Sequence, residues 1–338
     1  MATINATNLS LLDHARRMDP DNSIARIVEL QAEINPIYDD IVWKEGNLPT
    51  GHMFSRRTAL PTLTWRKYNQ GVAPTKSSTD QVTESCGMLT GLSTVDSDLA
   101  DLNGNRLAFR LSEDLAFQQK FTQDFVDTLI YGNVNTNPER FQGLMPRFNS
   151  LSGTTANQVV NAGGSSGADQ TSIWLLGWGD QSLYCFYPKA SSVGLKVKDM
   201  GEELTSDGTN SFPAFRTWLS WSVGLACQDY RFVSRVANID TGNWVADLSA
   251  GANLGLVMED AITALFSLDG VNKCFYMTRN AFAMLNKQLQ SASSNQLSWR
   301  STEGGSVGAN RGNKRVVVFN DIPIKYNDAQ TETEAVVS

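Results

Sequence analysis

The chain has 338 residues and a formal net charge of −7, with 41% hydrophobic and 19% charged residues. These values exclude a disordered chain and predict an ordered globular protein with one large domain or about two smaller ones. The acidic balance disfavours proteins that grip nucleic acid along its backbone, because that binding needs a surplus of Lys and Arg. It does not exclude a protein that merely surrounds nucleic acid.

No apolar run approaches the length that spans a bilayer, and residues 1–20 lack the apolar core of a secretion signal. We therefore expect a cytosolic start and no membrane association. The cysteines have no CxxC spacing, which predicts reduced thiols, and His14 and His52 are too few for a His-rich metal site. No cofactor or metal is expected. The cysteines are Cys86, Cys185, Cys227 and Cys274.

Residues 1–44 are predicted to form an arm with one short helix, since apolar residues recur at helical spacing between residues 24 and 34. Beyond the arm, residues 60–68 are Thr-rich and aromatic and predict a strand. Gly71 and Pro74 then indicate a mobile tip. Residues 79–99 alternate as a second strand would. This antiparallel hairpin has few residues for a core of its own, so it needs another surface to lie on.

A long amphipathic helix is predicted from Asn105 to Gly132, with two apolar rows that repeat every four residues. Asp98, Asp101 and Asn103 would cap its start, and Gly132 would end it. At roughly 25 residues it would be about 37 Å long, well above the average. The rows are Leu107, Leu111 and Leu115, and Phe117, Phe121, Phe125 and Leu129.

The remainder is predicted to be β-rich and then mixed. A compact unit of helices and strands is expected from about residue 246. Strands are predicted within residues 172–188, 194–201, 215–227, 230–239, 273–277, 315–319 and 322–328, and helices within 254–268 and 278–292.

None of the patterns that resemble a metal, phosphate or catalytic site meets its spacing rules. The acidic cluster at residues 96–103 lacks the bidentate Glu of a calcium loop. The Gly-rich loops lack the Lys-Ser/Thr ending of a phosphate loop. A pair of Cys86 with His52 would need an orienting third group, and Glu113 and Asp114 are adjacent on a helix and point in different directions. We therefore predict no catalytic residues.

The hairpin tip carries the candidate contact residues. Its mixture of cations and aromatic rings is enriched in protein interfaces, and we favour a protein partner. The same mixture could stack single-stranded nucleic acid, and a merely solvated hairpin end is a further alternative. The candidates are Trp65, Arg66, Lys67, Tyr68 and Lys76.

Four segments carry a resemblance to a known family. They are YGNVNTNPERFQGLMPRF, YPKASSVGLKVKDMG, RVANID and NDIPIKYNDAQTETEAVV. With the order of arm, hairpin, long helix, β-rich body and α+β tail, the chain resembles tailed-phage major capsid proteins of the Hong Kong 97 fold. It is most similar to those of the epsilon-fifteen-like short-tailed phages. The resemblance extends over nearly the whole chain.

The resemblance implies an α+β capsid fold with four parts. Residues 1–44 would be the N-terminal arm and 45–97 the extended loop that lies over a neighbouring subunit. Residues 98–244 would be the peripheral domain, with its spine helix at 105–131. Residues 245–338 would be the axial domain and C-terminal segment, in a permuted order relative to the type member of the fold.

The resemblance also implies a virion shell subunit, assembled in the host cytoplasm into pentamers and hexamers that form an icosahedral shell around double-stranded DNA. Cement or decoration, scaffold and portal proteins would be its other partners. The type member of the fold fastens its subunits by a covalent crosslink, for which Lys76 is the only tempting lysine here. The sequence identifies no partner for it, and packing and bound accessory proteins can do the same work. An alternative from another class is a soluble hydrolase or carbohydrate-binding domain that exposes tryptophans from its strands in a groove. Those tryptophans would be Trp174, Trp178, Trp218 and Trp221.

Overall fold

The computed structural model describes residues 33, 35–102, 105–165, 167–206, 210–246, 248–267, 269–291 and 317–338. The short helix predicted between residues 24 and 34 lies outside them. The helices are α1 (Ile37–Asp40), α2 (Ser97–Asp101), α3 (Arg106–Tyr131), α4 (Leu254–Ala264) and α5 (Arg279–Ser291). The strands are β1 (Trp43–Glu45), β2 (Gly51–Ala59), β3 (Ser78–Ser85), β4 (Gly87–Asp96), β5 (Val159–Asn161), β6 (Gln170–Trp178), β7 (Leu183–Tyr187), β8 (Lys196–Ser206), β9 (Ser211–Cys227), β10 (Val233–Asp240), β11 (Asn272–Met277), β12 (Val317–Phe319) and β13 (Ile322–Tyr326). This confirms the predicted α+β class, whereas the permuted order and the domain boundaries stay predictions.

The described chain divides into two compact units. Unit 1 includes Gly87–Val126 and Ser192–Ser222, and unit 2 comprises Ile34–Cys86, Asp127–Ser191 and Val223–Ser338. Helix α3 and strand β9 each contribute residues to both units, because the division falls inside them.

Unit 1 is organised around the first five turns of α3 and the hairpin of β8 and β9. Strands β8 and β9 are antiparallel from Lys196 opposite Ser220 to Ser206 opposite Ser211. The ring of Phe125 lies 4.7 Å from that of Trp221, centroid to centroid. A small apolar core fixes the start of α3 in this unit. It contains Val95, Leu99, Ala100, Phe109 and Phe215.

Unit 2 has a mixed sheet with the order β12-β13-β11-β6-β7-β9. Strand β6 is central, antiparallel to both β11 and β10, and every one of its residues is buried. Helices α4 and α5 contribute Met258 and Leu285 to the same core as Leu175 and Phe275. A strand that is buried on both faces explains why residues 173–178 are apolar without alternation.

A buried ion pair ties the C-terminal segment to this sheet. Arg235 on β10 donates from Nη2 to Glu334 Oε2 at 2.8 Å, and the two side chains are 0% and 3% exposed. The same guanidinium donates to Ser172 Oγ at 3.0 Å and to the Phe148 carbonyl at 2.8 Å. The Tyr131 hydroxyl donates to Glu334 Oε1 at 2.9 Å. Every charged atom of the pair is thus hydrogen-bonded, which offsets the cost of burying charge.

The long helix is confirmed as 26 residues that begin at Arg106, one position after the predicted Asn105, but the prediction that Asp98 and Asp101 cap its start is wrong. Asp96 accepts hydrogen bonds from the N–H groups of Asp98 and Leu99 and so caps the separate short helix α2. Asp98 and Asp101 belong to α2, and Asp101 pairs with Arg106. Asn103 lies outside the described residues. Asp96 therefore caps α2, a separate helix that ends at Asp101 before α3 starts at Arg106.

The end of α3 is where the sequence predicts it, at Gly132. A Cβ atom at this position would lie 2.4 Å from the Thr128 carbonyl oxygen and 2.6 Å from that of Phe141. No other residue fits this close approach, so the glycine both ends the helix and lets the following loop pack against it.

The strand predicted at residues 60–68 is absent. Strand β2 lies earlier, at Gly51–Ala59, and its pairing with β3 stops where Ala59 lies opposite Ser78. The Thr-rich and aromatic residues beyond it lie in the tip. Strand propensity reports a preference for packing on a half-buried surface, and the described residues offer the tip no such surface.

Candidate intersubunit surface

The extended hairpin is built from β2 and β3, with residues 60–77 as its tip. The two strands run antiparallel from Gly51 opposite Ser85 to Arg57 opposite Thr79. At the base, Phe54 is buried with Tyr184 and Phe186. Every residue of the tip is exposed. The hairpin is therefore fixed at one end and projects at the other.

The structure places all five predicted contact residues in this tip. Trp65 and Tyr68 are 101% and 97% exposed, so neither ring is covered by its own chain. The Lys67 N–H donates to Gln70 Oε1 at 3.1 Å, and the Gln70 N–H donates to the Lys67 carbonyl at 3.2 Å, which closes a turn over residues 67–70. Lys76 lies on the returning arm. Two uncovered aromatic rings flanked by cations form the kind of surface that protein interfaces bury.

A second uncovered apolar surface lies on α3. Of the phenylalanine row, Phe121, Phe125 and Leu129 are buried, and Phe117 is half-buried. The other row is 52% to 70% exposed. It comprises Leu107, Leu111 and Leu115. Three leucines in line on one helix face expose a contiguous apolar surface to solvent. Such a surface is typical of an interaction site.

Glu84 and Arg147 anchor the hairpin to unit 2. The Arg147 guanidinium donates two bonds to the Glu84 carboxylate, at 2.5 and 2.8 Å, and also donates to the carbonyls of Gly143, Gln142 and Leu225. The Arg147 side chain is 17% exposed and the Glu84 side chain is 9% exposed. The planar guanidinium satisfies all these acceptors at once, so this pair sets where the base of β3 lies.

We expect Arg147→Lys to lower the free energy of unfolding by about 2 kcal/mol, because an ammonium group cannot form the bidentate pair. Urea denaturation measures this loss. Arg140→Lys is the matched control. Arg140 pairs with Asp127 at 3.4 Å in solvent, so its loss should stay below about 0.5 kcal/mol. Equal losses in both variants would contradict the anchoring role of Arg147.

His52 is the second anchor of the hairpin, and its imidazole is buried. Its Nδ1 accepts from the Asn47 N–H at 3.3 Å, so the ring hydrogen is on Nε2, which lies 3.0 Å from the Tyr184 hydroxyl. Burial lowers the pKa of His52, and Lys44 lowers it further, while Glu84 opposes both. The neutral ring is thus the form that fits.

This lowered pKa predicts a loss of stability in acid. The unfolded chain binds a proton at His52 near pH 6.5, whereas the folded chain resists it, so stability falls as the pH drops below about 6.5. His52→Gln keeps one donor and one acceptor without titrating. The difference in melting temperature between the two proteins should shrink from pH 7.5 to 5. A constant difference would contradict the assignment.

The tryptophans proposed for a ligand groove do not form one. Trp174, Trp178 and Trp221 are 1%, 1% and 4% exposed, and only Trp218 reaches 42%. The Trp178 indole donates to the Tyr276 hydroxyl at 3.1 Å inside unit 2. Strand tryptophans are core residues here, which is their commoner fate.

Cys86 and Cys227 do not have the lowered pKa of a nucleophilic thiol, and the described ranges contain no metal cluster. Burial raises the pKa of Cys86 to about 11 and that of Cys227 to about 11, so both thiols stay protonated near neutral pH. Across the described residues, no three His, Cys, Asp or Glu side chains are grouped as metal ligands would be. No helix in that part of the chain is long and apolar enough to cross a membrane.

Comparison with known protein families gives a match over most of the chain. The family described as "Major capsid protein GP7" matches residues 19–338. The chain belongs to this family. A solved structure of bacteriophage Epsilon15 is 34% identical, covers 100% of both chains and has a TM-score of 0.76. The bacteriophage JBD30 capsid shares the fold, with 10% identity, a TM-score of 0.50 and coverage of 89% of this chain and 93% of that one. No curated protein matches.

The family membership confirms the resemblance read from the sequence. The chain is a structural protein of the virion, a major capsid protein of the icosahedral shell. The sequence predicted the hairpin tip as a contact surface but missed its anchors, Glu84, Arg147 and His52. The run that contains Arg147 carried the resemblance, yet nothing in its spacing pointed to a partner 63 positions earlier. The sequence also did not predict that the leucine row is exposed. Both apolar rows of α3 repeat every four residues, so their spacing does not distinguish the exposed row from the buried one.

Proposed function

We propose that the chain self-assembles into pentamers and hexamers and that these form an icosahedral shell around double-stranded DNA. One observation carries the proposal. The 18 residues of the hairpin tip, 60–77, are all exposed, and they include Trp65 and Tyr68. The aromatic rings of such a tip are stabilised by burial only when they pack against another molecule. We propose the leucine row of α3 in a neighbouring copy as part of the surface that receives it.

The charge of the chain fits an enclosing role. With a net charge of −7, the shell would hold DNA without gripping its backbone or reading its sequence. The role we propose is structural and not catalytic, with no metal or cofactor. Assembly would occur in the host cytoplasm, with a portal protein and with scaffold and cement or decoration proteins as further partners. Lys76 stays the candidate for a covalent crosslink.

Sedimentation and negative-stain electron microscopy of the purified protein test this function. We expect uniform closed shells, or capsomers that convert to shells as the protein concentration rises. A stable monomer at all concentrations, with no shells in infected cells, would contradict the proposal.

A further inference from the structure

Strand β2 has an unused edge. Its inner edge pairs with β3, and within the described residues no strand pairs with its outer edge. The Asn47 side chain shows where that outer edge lies, because it donates to the Met53 carbonyl at 2.6 Å and accepts from the Met53 N–H at 2.8 Å. Backbone groups two residues apart point to the same edge of a strand. The N–H and C=O of Ser55 and Arg57 therefore point outward as well.

An open groove of about 480 Å³ follows this edge. Six consecutive residues, 55–60, form one wall, and Gln181 with residues 228–231 forms the other. Successive side chains of a strand point to opposite faces, so a groove lined by consecutive residues runs along the backbone edge. Its shape suits an extended segment that adds to β2 by main-chain hydrogen bonds.

The groove is basic within an acidic protein. Arg56 and Arg57 form no ion pair with any carboxylate of the described residues. The Arg56 guanidinium lies 6.0 Å from the centre of the Tyr230 ring. Arg231 is neutralised by a pair with Asp229 at 2.7 Å. Two guanidinium groups are thus available to a partner that carries carboxylates on an extended strand.

Strand β8 of unit 1 has the complementary properties. Within the described residues it pairs with β9 alone, so its other edge is unused. Leu204 and Val197 are 75% and 52% exposed. Glu202 is also exposed, and it forms no ion pair with any residue that the structure describes. The neighbouring Glu203 contacts Arg216 at 3.3 Å. A long exposed edge strand with apolar side chains invites pairing with another chain.

We propose that β8 of a second copy adds antiparallel to the outer edge of β2, with Glu202 opposite Arg57 and Leu204 opposite Ser55. This inference rests on the proposed self-assembly of the chain and names one of its contacts. The antiparallel arrangement also places Glu203 opposite Arg56. Because the two edges differ, the contact is head-to-tail, and such a contact closes into rings when its rotation permits.

A charge exchange tests the pairing. Arg57→Glu and Glu202→Arg, each alone, place like charges at every contact and are expected to lower the yield of shells at least about tenfold. The double variant Arg57→Glu/Glu202→Arg restores opposite charges at every contact, since each copy supplies both edges, and should recover the wild-type yield to within about threefold. Lys189→Glu, an exposed charge reversal outside the groove, is the matched control.

A second measurement covers variants that fail to fold. Ser55→Cys with Leu204→Cys should give, on oxidation, a ladder of covalent oligomers that neither single variant gives. Normal shells from Arg57→Glu, or shells of the double cysteine variant without a ladder, would overturn the pairing and leave self-assembly intact. An absence of shells from the wild-type chain would count against the proposed function itself.

Discussion

Arg235→Met is expected to lower the free energy of unfolding by about 3–5 kcal/mol, the largest loss of stability we expect from any single substitution. Methionine fills much of the same volume, but the variant leaves Glu334 buried at 3% exposure without its cation. It also removes the donors to Ser172 and to the Phe148 carbonyl. Urea or thermal unfolding of the unassembled subunit measures the loss.

A double variant separates the ion pair from general damage to the core. Arg235→Met/Glu334→Leu removes both charges, so no uncompensated carboxylate is left, and most of the lost stability should return. A loss of less than about 1 kcal/mol in the single variant would contradict the conclusion that Arg235 offsets the cost of burying the Glu334 charge. If the double variant is as unstable as the single one, the loss arises from packing and not from the buried charge.

Replacing residues 60–77 by Asn-Gly is expected to abolish shell formation and leave the subunit folded. Ala59 and Ser78 lie opposite each other, so a two-residue turn can join them. The removed tip buries no side chain in its own chain, and the free energy of unfolding should change by less than about 1 kcal/mol. The loss of assembly follows because every copy loses its aromatic contacts, each worth about 2 kcal/mol or more if the rings are central to an interface.

A second variant shows whether the length of the tip or its aromatic rings matter. Trp65→Ser/Tyr68→Ser keeps every residue position and removes both rings, so it should assemble poorly at low protein concentration and recover as the concentration rises. Sedimentation velocity gives the assembled fraction in each case. Normal shells from the Asn-Gly variant would show that the tip is merely a solvated hairpin end.

The sequence predicted the elements whose signals are local. The long helix and its end at Gly132 followed from periodicity and from one residue that tolerates close approach. The sequence could not show which of the two apolar rows of α3 is buried. A spacing of four residues indicates an amphipathic helix, but it does not show which face packs against the core. The strand assigned to residues 60–68 failed for a related reason, since propensity cannot supply a pairing partner.

The anchors of the hairpin and of the C-terminal segment lay beyond the reach of the sequence. Arg147 and Glu84 are 63 positions apart, and Arg235 and Glu334 are 99 apart. The two members of a buried ion pair meet only in the folded structure, so their spacing in the sequence does not reveal the pair. From the sequence alone, a charged residue on a strand is expected to face solvent. The contact role of the tip residues stays a prediction, and it rests on a composition that is unusual for an exposed loop.

A density map of the assembled shell at side-chain resolution tests the central claim most directly. We predict that the hairpin tip, residues 60–77 of each copy, lies over a neighbouring subunit and that Trp65 and Tyr68 are buried there. The outer edge of β2 should carry a strand from a second copy. A map in which the hairpin folds back on its own subunit, with the tip exposed in the finished shell, would contradict the claim that this chain completes its packing only by assembly.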